Sequence, residues 1–466
     1  MRHSTTRFGA VSLLLLAASM LSGCGKDKTA AAANAGPFAS TYAPLPGKTT
    51  VIRNAIVLIG DGARLDGGSV LLKDGKVAAV GTDFEVPADA VVIDAKGRFV
   101  TPGIIDVHSH LGVYASPGVN ASSDGNEAVS PNTAEVWAEH SIWPQDPQFA
   151  LASAGGVTSI QILPGSANLF GGRGVTVKNV PSRTMQGMKF PGAKHGLKMA
   201  CGENPKRVYG DKSGPQTRMG NVAGYRAAWI KAKAYKDKLD KSGKGKGDAP
   251  DRDLQLETLV GVLSGDIIVH NHCYRADEMA VMIDVAKEFG YRIGTFHHAV
   301  ESYKVADLLA KEDICSAMWA DWWGFKMEAF DGVRENIALV DAAGACAIVH
   351  SDSATGTQRL NQEAAKAMTS GNRAGIKIAP EHAIRWVTAN AAKSLGIDKV
   401  TGTLEVGKDA DVVLWSRDPF SVYAHADQVF VDGALVYDRA DRTRQPVSDF
   451  MLGLFAKDFG GQEVQP

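Results

Sequence analysis

Seven of the twelve histidines stand where an apolar run ends. His108 and His110 close VTPGIIDVHSH, and His270 and His272 close DIIVHNH. His297 and His298 close RIGTFHH, and His350 closes CAIVH, two residues before Asp352. Neutral imidazoles completed by a carboxylate are the donor set of zinc-type ions. In a regular strand, residues two apart point to the same side, so His108 and His110 can reach one ion. One such pair carries little weight. Its recurrence at successive strand ends is hard to explain as packing, because buried polar groups need partners. His297 and His298 are adjacent and should point opposite ways, so a shared role is not expected of them.

These side chains meet only if the strand ends converge. From Pro102 to about Ile397, GVTSIQIL, GLKMAC, DIIVHNH, RIGTFHH, DICSAMWA and CAIVHSD read as buried strands of a parallel sheet. Amphipathic stretches such as ADEMAVMIDVAKEFG lie between them. The rhythm predicts an α/β fold, a (β/α)8 TIM-like barrel over residues 101–400, whose mouth gathers the strand ends. A doubly wound sheet is second, but no G-x-G-x-x-G follows an early strand. Residues 49–100 and 401–445 are short apolar strands with Asp-Gly and Lys-Gly turns, expected to pair into a small β-sandwich domain built from both chain ends. Val208 to Leu254 interrupts the barrel with a predicted helix and a solvated, lysine-rich loop. Ser166 to Gly174 reads as a glycine-rich loop in which Arg173 can grip a substrate carboxylate, with simple chain reversal an equal reading. Trp319, Trp322 and Trp323 are expected to line an apolar pocket or to pack in the core.

The 466 residues are 45% apolar and 22% charged with a net charge of −1, which excludes a disordered or polytopic membrane chain and gives no electrostatic case for nucleic acid. Five cysteines are too few and too scattered for a disulfide framework or a cysteine zinc site, and Cys201 and Cys273 read as small buried apolar residues. No G-x-S-x-G elbow points to serine hydrolysis. Residues 1–24 have a basic start, a short apolar run and the ending Leu21-Ser22-Gly23-Cys24. That ending resembles a bacterial lipobox. The resemblance implies lipidation of Cys24 and a periplasm-facing, cell-envelope lipoprotein, on the outer rather than the inner membrane, that touches the membrane only through its anchor. Residues 25–48 are read as a flexible tether.

From Thr49 to Asp438 the chain resembles the metal-dependent amidohydrolase superfamily. The likeness rests on FVTPGIIDVHSHLG, His270, His298, Asp352 in HSDS, and the tail TANAAKSLGIDKVTGTLEVGKDADVVLW. GVTSIQILPGSANLFGGRG and GLKMACGENPKRVYG bring it nearest to imidazolonepropionase-like or cyclic-amidase-like hydrolases. The resemblance implies His108, His110, His270, His298 and Asp352 as ligands of one or two divalent ions, Zn²⁺ foremost. His272 can replace His270, and His297 can replace His298. Members of the superfamily bridge two ions with a carboxylated lysine or a glutamate. Here Glu203 is expected as the bridging ligand, because it needs no modification and follows the strand, with Lys198 as the alternative. The implied reaction is hydrolysis of a C–N bond in an amide, cyclic amide or short peptide. Asp352 serves as acid and base, His272 or His350 stabilises the oxyanion, and His297 and His350 contact substrate. A deaminase of a nitrogen heterocycle and a catalytically silent binding lipoprotein are the alternatives. Partners are a small molecule or short peptide, with oligomerisation open.

Overall fold

The computed structural model describes residues 38–445 apart from Ser213, so the signal, Cys24 and most of the tether lie outside the described residues. The strands β1 (Thr50–Leu58), β2 (Arg64–Lys73), β3 (Lys76–Gly81), β4 (Val91–Asp94) and β5 (Phe99–Pro102) come first. Then follow β6 (Ile104–Ser109), β7 (Val157–Ile162), β8 (Phe170–Lys178), β9 (His195–Ala200), β10 (Ile267–Cys273), β11 (Ile293–His298), β12 (Cys315–Met318) and β13 (Cys346–Val349). The chain returns through β14 (Val412–Trp415), β15 (Ala426–Val431) and β16 (Ala434–Asp438).

β6 to β13 form an eight-stranded sheet in chain order. Its edges approach where the Asp352 N–H donates to the His108 carbonyl at 3.0 Å and Ser351 donates to Asp106, which nearly closes the barrel. One strand departs from the all-parallel expectation. β8 runs antiparallel to both β7 and β9. Residues 170–174, expected as loop, are therefore strand, and the segment after β7 is a hairpin rather than a crossover helix. Phe170 anchors that hairpin by meeting the Trp229 ring at 5.5 Å. Trp229 belongs to α3 (Arg218–Gly243), the expected long helix, which follows α1 (Pro147–Ala154) and α2 (Glu203–Tyr209). The helix starts at Thr217, whose side chain accepts from the Gly220 N–H, and buries Tyr225, Ala228, Trp229 and Ala232, a three-to-four-residue spacing. The helices α4 (Leu254–Leu263) and α5 (Ala276–Phe289) cover the barrel next to it.

Where a β-sandwich is expected, strands from both ends of the described chain lie in one branched sheet. The order is β16-β15-β14-β5-β1-β2-β3, with β4 also on β1. This sheet has its own core of Ile52, Val57, Val70, Leu72, Val412, Leu414 and Phe430. Ser40 to Tyr42, expected as tether, are docked: Ser40 Oγ donates to the Lys189 carbonyl at 2.6 Å, and the Tyr42 hydroxyl donates to Asp432.

The cysteine reading is also corrected. Cys201 bridges to Cys273, and Cys315 to Cys346, with Cα–Cα distances of 5.2 and 4.4 Å. Cys201 directly follows β9 and Cys273 ends the neighbouring β10, while Cys315 and Cys346 open the neighbouring β12 and β13, so residues 72 and 31 apart in sequence become adjacent only through sheet register. Among the described residues, no helix is long and apolar enough to cross a membrane.

Candidate metal centre

Strand parity and register carry the histidines to one mouth. His108 and His110 leave β6 on the same face and meet one carboxylate oxygen of Asp352 at 3.4 and 3.1 Å. His110 Nδ1 is held by the Leu163 carbonyl at 2.8 Å, which turns Nε2 toward Asp352. His298 Nδ1 lies 3.8 Å from the other Asp352 oxygen and 3.1 Å from His350 Nε2. Two sets have ligating atoms within 4.8 Å of one another: His108, His298 and His350, and His108, His110 and Asp352.

The alternation rule fails at β11 for a visible reason. The rings of both His297 and His298 approach His108, at centroid distances of 4.8 and 4.7 Å. His298 has φ of 68°, and this left-handed residue breaks the pleat and turns its side chain inward beside His297. Asp352 has φ of 51°. Such backbone is costly for non-glycine residues and is tolerated where surrounding contacts fix it. Here Asp106 supplies them, accepting from the His108 N–H at 3.2 Å, the Ser351 N–H at 3.3 Å and Thr357 Oγ1 at 3.1 Å. Burial pushes its carboxyl up to about 6, against those hydrogen bonds. Sequence reading missed Asp106, although its position two before His108 places it on the same face of the strand.

His270 lies beneath the mouth with both ring nitrogens engaged. Nδ1 meets His297 Nε2 at 2.9 Å, and Nε2 meets the Gln161 amide at 3.1 Å. His297 Nδ1 in turn meets His108 Nδ1 at 2.9 Å. Gly196 makes this possible, since a Cβ there would sit 2.8 Å from the His270 ring. His272 lies above, 4.5 Å from His298 between ring centroids, and its buried Nδ1 has no protein partner. The buried Nδ1 of His350 is equally unpartnered.

The two bridging candidates part company. Lys198 points into the barrel, level with His270 across β9 and β10, and its Nζ is 3.2 Å from His108 Nε2. Glu203 opens α2 outside the strand and faces Lys326 at 3.7 Å. Arg173 is also drawn away. Its guanidinium donates to Thr258 of α4 at 2.8 Å and covers the Trp137 ring at 4.1 Å. Trp319 comes to the cluster, stacking on His298 at 4.3 Å and on Trp322 at 5.1 Å. His195 and His382, expected as ordinary histidines, pair with Glu139 and Asp341 away from the cluster.

Electrostatics favour neutral donors. Burial is the leading cause holding His108, His272, His297 and His298 well below the ordinary histidine range. It takes His270 to about 3 and His350 to about 4. Burial also lowers Lys198 to about 8, opposed by Asp352. Burial alone would raise Asp352, but the His110 hydrogen bond and the charges of His110, His350 and Lys198 hold it below its usual value. Neutral imidazoles with free lone pairs, the orphaned Nδ1 of His272 and an ionised carboxylate fit a divalent cation.

Residues 265–436 match the amidohydrolase family model. An amidohydrolase of Thermotoga maritima MSB8 superposes with a TM-score of 0.78 at 36% identity, over 84% of this chain and 100% of that one. Amidohydrolase tasK of Hapsidospora irregularis is 34% identical over 84% of the chain, and the chain spans 43% of its length. The imidazolonepropionase of Brucella anthropi is 24% identical over 80% of the chain and 94% of its own. The chain belongs to the amidohydrolase family.

Proposed function

We propose that the protein is a metal-dependent hydrolase of C–N bonds in an amide, cyclic amide or short peptide. The observation that carries this reading is the convergence of His108, His110 and His298 on Asp352 at the barrel mouth, with Lys198 against His108. His108, His110, His272, His298, Asp352 and Lys198 would hold one or two divalent ions, zinc foremost. His272 takes the place expected of His270, whose nitrogens are both occupied, and Lys198 that of Glu203. A bound ion supplies Lewis acidity to the carbonyl and to water.

The protein's residues do the rest. Asp352, ionised and aimed by His110, takes a proton from the attacking water and returns it to the departing nitrogen as the C–N bond breaks. His350, with a free Nδ1, is placed to donate to the developing oxyanion. His297 does not contact substrate in this reading; it is clamped between His108 and His270 and fixes both rings. Treatment with a chelator and His108→Ala should each abolish amide hydrolysis, with Zn²⁺ restoring only the wild type. Ammonia release from ring amines, in place of amide cleavage, would support a deaminase instead. We also propose an exported, envelope-anchored location. Both disulfides support it, because such bonds persist in oxidising compartments, and their formation leaves Cys24 as the one cysteine available for a lipid.

A further inference from the structure

With Arg173 engaged elsewhere, Lys326 is a cation that adjoins the mouth through Asn204 and His272. Its side chain is only 15% exposed and lies on the Tyr274 ring, Nζ 3.8 Å from the centroid. Its polar neighbours are distant for charge-assisted bonds: Asn204 Oδ1 and Glu328 at 3.4 Å, Glu203 at 3.7 Å. Glu328 is itself taken by Arg218. The ammonium is therefore held in place but not neutralised by a tight pair. Asn204 links it to the metal centre, reaching His272 Nε2 at 3.4 Å. Apolar surface adjoins it. Tyr274 and Trp319 both pack on His298, with ring centroids 5.3 and 4.3 Å away, and lie 5.9 Å from each other. Trp322 stacks on Trp319, Phe325 packs edge-on to it, and these two remain 41% and 56% exposed. A small cleft opens between His298, Trp319 and Trp322. Exposed aromatic side chains beside a cluster of donors are the usual make-up of a small-molecule subsite.

We propose that Lys326 seats a substrate carboxylate and that the Trp319–Trp322–Phe325 face takes an apolar side chain. The substrates this implies are apolar amino acids with a free carboxylate, amide-linked through their nitrogen, whether N-acyl amino acids or dipeptides. The proposal rests on the hydrolase reading above and narrows it to one substrate class. The decisive measurements use the metal-loaded protein with N-acetyl-phenylalanine, alanyl-phenylalanine and the carboxamide of each. The wild type should favour each acid over its carboxamide by about tenfold or more, through KM. Lys326→Met should bring that ratio close to one, Lys326→Arg should restore it, and Trp322→Ala should weaken phenylalanine relative to glycine derivatives. Which acid is cleaved faster distinguishes the acyl from the dipeptide source. Equilibrium dialysis of the same four compounds supplies a readout independent of turnover. If nothing is cleaved but the acids bind in a Lys326-dependent manner, the hydrolase reading fails and the subsite stands. If amides are cleaved but acid and carboxamide bind alike, or Lys326→Met weakens both equally, the subsite is overturned.

Discussion

Lys198 carries the sharpest residue-scale consequence. An ammonium at the bottom of a donor cluster repels a cation, whereas a neutral amine can bind one or react with carbon dioxide to give a carbamate ligand. Burial lowers this group to about 8, so the ammonium dominates below that pH and the amine above it. Uptake of zinc by the chelator-stripped protein in bicarbonate should therefore rise with pH, with a midpoint near 8. Lys198→Met should remove that dependence and cost on the order of 100-fold in activity or more, the scale of losing a group that orients or holds a metal. Glu203→Gln should cost far less. The converse pattern, with Glu203 essential and Lys198 dispensable, would restore the glutamate bridge that the bare sequence favours.

At the level of the element, what the residues disclosed and what they concealed separate by physical cause. Apolar runs ending in histidine marked β6, β10, β11 and β13 because a buried strand with a polar terminus is a local pattern. β8 escaped because three glycines and an arginine in FGGRG have a turn composition, and only pairing with both neighbours makes them strand. The choice between His270 and His272 escaped for a different reason. They share a face, so parity cannot separate them; height along the barrel does, and that is set by register with β9 and β11. The disulfides are likewise consequences of register. They should be chemically accountable: in denaturant the four barrel cysteines should resist thiol reagents until a reductant is added. Replacing both Cys315 and Cys346 by serine should lower the unfolding free energy by about 2–4 kcal/mol, measured by urea titration. Four reactive thiols in the unreduced protein would refute the pairing.

Across the whole molecule, one buried cation ties barrel to sheet. Lys178 ends β8 with its side chain 1% exposed and its Nζ 2.7, 3.1 and 2.8 Å from Asp409, Asp411 and Asp432. Burial would lower this lysine, but the three carboxylates outweigh burial and raise it. Asp409 and Asp411 come from the KDAD segment that leads into β14, and Asp432 follows β15, so one side chain fixes how the returning strands meet the barrel wall. Lys178→Met would leave three carboxylates facing one another in a buried site. Removing one partner of a buried ion pair costs about 3–5 kcal/mol, and that is the loss expected in urea unfolding at pH 7. The loss should depend on pH. Without the lysine, the folded-state carboxyl pKa values rise above their unfolded value of about 3.9, so the folded variant binds more protons than its unfolded chain. Its stability then increases as pH falls from about 7 toward 4. In the wild type, Lys178 and Lys76 outweigh burial to hold Asp409 below its ordinary range, so that group stays ionised across this window. The gap between variant and wild type should therefore narrow in mild acid. A gap that stays constant from pH 7 to about 5 would show that the carboxylates are not the source of the loss, and that Lys178 acts through packing against Phe190, whose ring its Nζ approaches at 4.7 Å.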